Sequence, residues 1–278
     1  MKKYMVSTPS RICLFGEHQD YLGLEVIACA INLRFSAQIT KREDQKIIIR
    51  IRDSKIDTLG MENTNGEYET TVIDLEQPIV YENKRDYLKS SIKTLQKSGY
   101  ELTGFDIQMD SEIPIGKGMC SSSTMIVVLI KAILEAIESE DKDNAEKIAF
   151  LAFQAEVTEF QEPGGMMDHY ASALGGLVNL DFTTGEAVPV RLNTKLEGCF
   201  ILFDSKEQKN TTKVLADAKA PSVEATQQLQ LGVKDFYQDE GLMVRLNELD
   251  EKHKKALRAN IENYKILQEA KAMLKSGR

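Results

Sequence analysis

The sequence predicts a protein built from both β-strands and α-helices, and three observations support this. Gly104–Asp110 has an apolar residue at every second position, which predicts a strand. A glycine- and serine-rich turn follows at 114–124, and beyond it apolar residues recur at helical spacing from Met125 to Ile137. The chain closes with an amphipathic run from about Lys254 to Leu274, which predicts another helix.

The composition is that of an ordinary globular protein. Its 278 residues suffice for one large domain or two ordinary ones. The net charge of −8, from 43 acidic and 35 basic residues, argues against a nucleic-acid surface. No apolar stretch has signal-peptide or bilayer length, so we expect a cytoplasmic protein with no membrane partner. The four cysteines are far apart, which predicts reduced, buried thiols and no cysteine metal site (Cys13, Cys29, Cys120 and Cys199).

The first half of the chain alternates predicted strands with one helix. Arg11–Phe15 reads as a strand, and residues 37–51 and 68–75 also have strand character. Asp86–Ser98 carries an apolar stripe at helical spacing, and Gly99 is a suitable residue to end that helix.

The second half adds two helices and two strands. Asn144–Gln161 is predicted as one helix capped by Asn144. Leu177–Leu180 and Gly198–Phe203 are apolar runs that predict strands. From Ser222 onward the chain is polar and helical in character.

The turn at 114–124 has the composition of an anion site. Gly116 and Gly118 let the backbone approach a ligand closely, and Ser121–Ser123 fall where a helix leaves amide groups unpaired. Those amides and the helix dipole favour an anion such as phosphate, while a spare hydroxyl suits Mg²⁺. The alternative is a capped helix after a tight turn.

Two other phosphate motifs fit this turn poorly. A Walker A loop needs four residues between its first glycine and Gly-Lys-Ser/Thr, a spacing that is absent here. A dinucleotide fingerprint would place a third glycine at Ser121 and would normally lie in the first strand–helix turn of its domain.

Two further places in the chain concentrate carboxylates among apolar residues. Glu17, His18 and Asp20 lie in a loop between buried strands, where such side chains need a ligand or each other. Glu156 lies on the apolar face of its predicted helix, and Asp168 follows the turn Pro163–Gly165. The structural alternatives are a solvated loop, a buried salt bridge at Glu156 and a helix-capping role for Asp168.

These motifs together resemble those of the GHMP small-molecule kinases and, within them, the galactokinases. Arg11–Gly23, centred on Gly-Glu-His-Gln-Asp-Tyr, is similar to the galactokinase signature. Pro114–Ser123 resembles the phosphate loop of the wider family. Gln154–Glu156 followed by Pro163–Asp168 is similar to the galactokinase segment that carries the catalytic aspartate. The resemblance covers nearly the whole chain.

The resemblance implies roles for individual residues. Asp168 would face the anomeric hydroxyl of a sugar, with Arg11 beside it to hold that hydroxyl and offset charge on the phosphoryl group. Ser122 and Glu156 would hold Mg²⁺. Besides Asp168, the implied sugar-binding residues are Glu17, His18, Asp20 and Gly165; the implied ATP-binding residues are Pro114, Gly116, Lys117, Gly118, Met119, Cys120, Ser121, Ser122 and Ser123.

The resemblance also implies an α+β fold of two lobes with the active site between them. Residues 1–185 would form an N-terminal lobe like the second domain of ribosomal protein S5. Residues 186–278 would form part of a ferredoxin-like C-terminal lobe, incomplete because no glycine-rich third motif follows Gly198.

The implied function is ATP-dependent phosphorylation of a sugar, with galactose favoured. His169 is a departure, since glutamine is usual after the catalytic aspartate. The missing third motif leaves open a truncated kinase, a relative that completes its site differently, or a non-catalytic sensor of sugar and ATP. A kinase for another acceptor, such as arabinose, a uronic acid or mevalonate, also stays open, as does the oligomeric state.

Overall fold

A mixed β-sheet forms the centre of the protein. The computed structural model describes residues 2–52, 68–114, 117–194, 196–203 and 211–276. Within these ranges the sheet has seven strands. They are β1 (Lys3–Phe15), β2 (Val26–Lys41), β3 (Lys46–Arg52), β4 (Tyr68–Asp74), β5 (Phe105–Ser111), β6 (Leu177–Asp181) and β7 (Val188–Arg191).

The long strand β2 organises the sheet. It pairs with β1 over most of its length, with β5 through Phe35–Lys41 and with β6 through Val26–Cys29. The strand order is β4-β3-β5-β2-β6-β7, and β3 and β5 run parallel while the other pairs are antiparallel. The predicted strand at 37–51 is therefore the end of β2 and the whole of β3 up to residue 51, separated by a turn.

Four helices pack against this sheet: α1 (Tyr87–Lys97), α2 (Ser121–Ala136), α3 (Ala145–Phe153) and α4 (Met167–Leu174). The predicted helix after the glycine–serine turn is confirmed as α2, which begins at Ser121. Most of α2 is buried in one apolar cluster with β2, β3 and β5, because its side chains are apolar on nearly every face. Gly99 follows α1 with a φ of +86°, as expected for a helix-ending glycine.

The predicted helix over Asn144–Gln161 is divided in the structure. Asn144 does cap α3, since its side chain accepts a hydrogen bond from the amide of Lys147 (3.0 Å). After Phe153 the backbone widens into a π-helical turn over Gln154–Thr158, which carries Glu156.

The C-terminal part of the described chain is helical. It contains α5 (Thr211–Leu229), α6 (Val233–Gln238) and α7 (Glu251–Lys275), with a 3-10 segment at Glu240–Glu248. These helices form a second apolar cluster, into which Leu22 and Leu24 of the N-terminal part insert. None of the helices in the described ranges combines the length and apolarity needed to cross a membrane.

Two predictions for the region after β7 are wrong. Gly198–Phe203 is not a strand, because no described strand pairs with it and an apolar run without a ladder does not become a sheet member. Its residues Phe200–Phe203 are exposed. Cys199 is exposed as well, and only Cys120 is buried among the four unbonded cysteines. The sheet continues through β7 to Arg191, a few residues beyond the lobe boundary predicted at residue 185. That boundary stays a prediction.

Candidate active site

Arg11 lies where an irregularity in β1 directs its side chain toward the start of α2. The pairing of β1 with β2 shifts register between Pro9 and Arg11, and such bulges commonly re-aim a side chain. The guanidinium donates from Nε (2.8 Å) and Nη2 (2.6 Å) to Oδ1 of Asp168, and from Nη1 (3.2 Å) to the carbonyl of Gly118. Arg11 therefore joins the glycine–serine turn to the first turn of α4.

Asp168 is the second residue of α4, and its pairing with Arg11 is asymmetric. The Asp168 side chain is 28% exposed, whereas that of Arg11 is 9% exposed. Burial opposes the charge of Arg11, but the adjacent carboxylate outweighs burial and holds the pKa of Arg11 above its ordinary value. The pair thus presents a carboxylate to solvent, backed by a permanently charged group.

The start of α2 keeps the features predicted for an anion site. Cys120 is the N-cap residue with a φ of +47°, and its side chain makes no capping hydrogen bond to the helix. The first amides of a helix lack intrahelical partners and lie at the positive end of its dipole. Ser10 donates to the carbonyl of Met119 (2.8 Å) and fixes the turn from the β1 side. Ile115 and the predicted nucleotide contact Gly116 lie outside the described residues.

A second pair, formed by Glu156 and His169, lies beside the Arg11–Asp168 pair. Ser122 Oγ donates to Oε1 of Glu156 (2.6 Å), and His169 Nε2 contacts Oε2 of the same carboxylate (2.7 Å). Burial alone would raise the pKa of Glu156, but the hydrogen bonds from His169 and Ser122 outweigh burial and hold that pKa below its ordinary value. Glu156 is therefore an ionised carboxylate enclosed by protein.

The π-helical turn is what brings Glu156 to this position. Sequence periodicity placed Glu156 on the buried side of a regular helix, and the side chain is indeed buried. The wider turn over Gln154–Thr158 is a local feature that periodicity does not reveal. Such turns are rare and are frequent at functional sites.

The loop at residues 16–25, called the signature loop below, contacts the turn before α4 through Asp20. Asp20 Oδ2 accepts from the amide of Met167 (3.2 Å) and Oδ1 from the amide of Tyr21 (3.0 Å). A Cβ at Gly165 would overlap the Asp20 carboxylate, so only glycine permits this approach. Burial raises the pKa of Asp20 above its ordinary value, although two backbone amides donate to it.

The other two predicted sugar-binding side chains lie at the surface of this loop. Glu17 is exposed and His18 is partly buried. The His18 Nε2 is 3.9 Å from Oε1 of Glu17, and His18 has a φ of +62°. A left-handed conformation at a histidine is uncommon and is a reason to examine the loop for function.

The structure brings four of the predicted residues together and adds three that sequence reasoning missed. Arg11, Asp168, Ser122 and Glu156 all converge on the start of α2. The missed residues are Ser10, His169 and Gln19, the last of which is completely buried in the loop that carries Asp20. For His169 the available signal was its departure from the family pattern; for Ser10 and Gln19 the sequence held none.

The Ser122–Glu156 pair suits a magnesium ion. Mg²⁺ is held by few protein oxygens and takes further ligands from phosphate and water, and these two oxygens are 2.6 Å apart. Across the described ranges no group of three or more His, Cys, Asp or Glu side chains forms a metal site by itself. The donor set therefore fits a Mg²⁺ that arrives with a phosphate ligand.

The chain is similar in sequence to proteins of known families. Residues 86–176 match the GHMP kinase N-terminal domain, and residues 1–41 match the galactokinase galactose-binding signature. A galactokinase of Ligilactobacillus salivarius is 32% identical over 169 residues, 60% of this chain and 41% of that protein. A mevalonate kinase of Methanocaldococcus jannaschii is 26% identical over 222 residues, 76% of this chain and 65% of that protein.

The fold is likewise that of solved structures. The structure of Lactococcus lactis galactokinase complexed with galactose matches with a TM-score of 0.73 at 20% identity, over 99% of this chain and 71% of that one. The sequence match spans 41% and 40% of the length of two galactokinases and 52% of a third, from Clostridium perfringens. Residues 86–176 thus carry the GHMP kinase N-terminal domain, residues 1–41 carry the galactokinase galactose-binding signature, and the chain has the α+β fold of solved GHMP kinases.

Proposed function

We propose that the protein is an ATP-dependent sugar kinase that phosphorylates an anomeric hydroxyl, with galactose as the favoured acceptor. One observation carries this proposal. Arg11 bonds both to the Asp168 carboxylate and to the carbonyl of Gly118 in the turn before α2. The side chain of Arg11 thereby connects the carboxylate that we propose binds the sugar hydroxyl to the helix start that we propose binds the phosphates.

Asp168 is the group that receives the sugar hydroxyl. Its carboxylate, which remains open to solvent, accepts the hydroxyl proton as the sugar oxygen bonds to the γ-phosphorus of ATP. The bond from that phosphorus to the bridging oxygen breaks, and ADP leaves. Phosphoryl transfer depends on positioning and charge stabilisation, and alignment of two reactants accounts for about 7–11 kcal/mol of such a barrier.

Arg11, which lies beside Asp168, and the start of α2 supply positive charge to the transferred group. Arg11 is charged because the ordinary pKa of a guanidinium is far above neutral, and Asp168 raises that pKa further. The amides at the start of α2 bind phosphate oxygens along the helix dipole. Pro114 and Lys117–Ser123 are the described residues of this predicted nucleotide site.

Glu156 and Ser122 hold Mg²⁺ in this proposal. When bound, Mg²⁺ offsets the negative charge of the phosphate oxygens. Glu156 contributes an ionised carboxylate whose position is fixed by His169, so that it need not reorganise to bind a cation.

The acceptor is proposed as a sugar because of the loop around Asp20. The match to a galactose-binding signature covers this loop. Glu17, His18 and Asp20, with the close turn at Gly165, provide several polar groups for a ring with many hydroxyls. The similarity to a mevalonate kinase supports another acceptor as a second candidate, although mevalonate has too few hydroxyls to use this set.

The experiment is ADP release in the presence of galactose and MgATP, for the wild type and for Asp168→Asn. We expect galactose-dependent turnover that falls by about 10²–10⁴-fold in the variant, as for loss of a general base. Arabinose, a uronic acid and mevalonate serve as competing acceptors. Binding of galactose without turnover would favour a sensor, and turnover with mevalonate alone would overturn the choice of sugar.

A further inference from the structure

The signature loop at 16–25 is held from two sides. On one side, Asp20 meets the turn before α4, as described above. On the other side the loop rests on α7, the last helix of the described chain. Leu22 and Leu24 anchor it in the apolar cluster of the C-terminal helices.

Two hydrogen bonds connect the tip of the loop to the α7 backbone and surface. Gln19 is completely buried, and its Nε2 donates to the carbonyl of Asn260 (2.8 Å). Asn263, one turn further along α7, donates from Nδ2 to the carbonyl of Glu17 (3.2 Å). A predicted sugar-binding residue therefore has its backbone fixed directly by α7.

The beginning of the loop, at Gly16, is in direct contact with α7. A Cβ at Gly16 would lie 2.6 Å from Cδ1 of Leu267 and 2.7 Å from the carbonyl oxygen of Glu25. Gly16 also has a φ of +84°, a conformation that other residues rarely adopt. The entry to the loop is thus shaped against the helix surface.

An ion pair between a buried carboxylate and a partly buried lysine lies at the far end of the loop. Glu25 is buried and accepts hydrogen bonds from Lys271 and Gln268 of α7, and from Nδ2 of Asn179 in β6 (3.4 Å). A buried carboxylate is stable only with such partners. Helix α7 therefore contacts the beginning, the tip and the end of the loop.

We propose that α7 is the positioning element of the substrate loop, with Asn263 and Lys271 as its positioning residues. This rests on the proposed function for the identity of the ligand. The helix fixes the position of the Glu17 backbone and of both ends of the loop. Asp20 and its neighbours therefore face the acceptor before it binds. Galactose binding and the seating of α7 are then linked, and each strengthens the other.

The test compares Asn263→Ala and Lys271→Met with Lys265→Ala. Lys265 is a matched control because it lies on the same helix and pairs with Glu240 (2.8 Å), away from the loop. Asn263→Ala removes one exposed hydrogen bond and leaves the buried cluster intact. It therefore still tests the proposal if Lys271→Met does not fold. Amide hydrogen exchange over 17–24 and over the start of α2 is measured first, without ligand.

We expect exchange over 17–24 to accelerate in Asn263→Ala and Lys271→Met, with no change at α2 and none in Lys265→Ala. Galactose affinity should fall by about threefold to tenfold in Asn263→Ala, as for one lost hydrogen bond, while the KM for MgATP stays constant. Equal exchange in Asn263→Ala and the control, or an equal change in both ligands' constants, would overturn the proposal. If the wild type binds no galactose, the proposed function fails, and the exchange comparison still decides whether α7 positions the loop.

Discussion

Two acid–base pairs occupy successive residues at the start of α4, and they are built differently. Asp168 pairs with Arg11, and His169 pairs with Glu156. The carboxylate side chain of the first pair is 28% exposed and that of the second is 9% exposed. Both pairs also reach the start of α2, the first at Gly118 and the second at Ser122.

The difference indicates how one short helix can serve two tasks. The Arg11 pair is open on its carboxylate side, which allows Asp168 to meet a ligand. In the Glu156 pair each carboxylate oxygen already has a protein donor, which holds the acid still. In the proposed function Asp168 reacts and Glu156 holds the cation, and the difference in exposure between the two carboxylates suits these proposed roles.

After the loss of Asp168 itself, replacing Arg11 should produce the largest effect, because it breaks the open pair. Arg11→Lys keeps the charge but loses the two-pronged hydrogen bonding of guanidinium. We expect kcat to fall by about 10²–10³-fold, as for loss of a donor to transition-state charge. Steady-state kinetics with galactose and MgATP measures this. Arg42→Lys is the control, since Arg42 forms the same type of pair with Asp44 outside the site. A kcat close to wild type would mean that the open pair is structural.

Changing the turn before α4 tests whether both pairs depend on its position. Gly165→Ala forces a Cβ into the Asp20 carboxylate, whereas at Gly164 the nearest atom is a side-chain methyl of Val157 at 3.3 Å. A displacement of about 1 Å can reduce turnover by about 10²-fold. We expect such a loss in kcat/KM for galactose in Gly165→Ala and little change in Gly164→Ala. Equal effects in the two variants would contradict the role of the Asp20 contact.

Breaking the enclosed pair should have a smaller effect, seen in the response to magnesium. His169→Ala removes the donor to Glu156 and should raise the Mg²⁺ concentration needed for half-maximal activity by about 10–100-fold. It should also lower the free energy of unfolding by about 1–3 kcal/mol, because a buried acceptor is left unpaired. His169→Gln retains a donor and should recover part of both losses. A change in galactose KM with no change in the Mg²⁺ response would argue against this assignment.

The smallest effect should come from a surface histidine that lies between two carboxylates. His253 contacts Glu224 (Nε2 to Oε2, 2.8 Å) and Asp250 (Nδ1 to Oδ2, 2.7 Å). Hydrogen bonds with Glu224 and Asp250 raise the pKa of His253 above its ordinary 6.5. A raised histidine pKa stabilises the fold below the ordinary value, and this stabilisation is lost as pH rises through the raised pKa.

Chemical denaturation of the wild type and His253→Gln at about pH 5.5 and about pH 9 measures this effect. We expect the variant to be less stable at the lower pH and equal to wild type at the higher pH. The difference should be small because solvent screens exposed pairs. A stability difference that is the same at both pH values would show that charge on His253 is not its cause.

Much of the local structure was predictable because periodicity and capping act over a few residues. The start of α2 after the glycine–serine turn, the cap at Asn144 and the stop at Gly99 all follow from neighbours in sequence. The strand expected at Gly198–Phe203 failed because a strand needs a partner, which a local pattern cannot supply. The π-helical turn at Glu156 was missed for a similar reason, since one inserted residue barely alters the apolar spacing.

The sequence by itself determined which side chains are present and on what kind of element each lies: Arg11 on a strand, Ser122 at a helix start, Asp168 after a glycine turn. Tertiary structure decided their partners. Arg11 and Asp168 are 157 residues apart in the chain, and Gln19 and Asn260 are 241 apart. Such contacts form only when separate elements pack, because hydrogen bonds require atoms within about 3 Å and no local pattern encodes that distance.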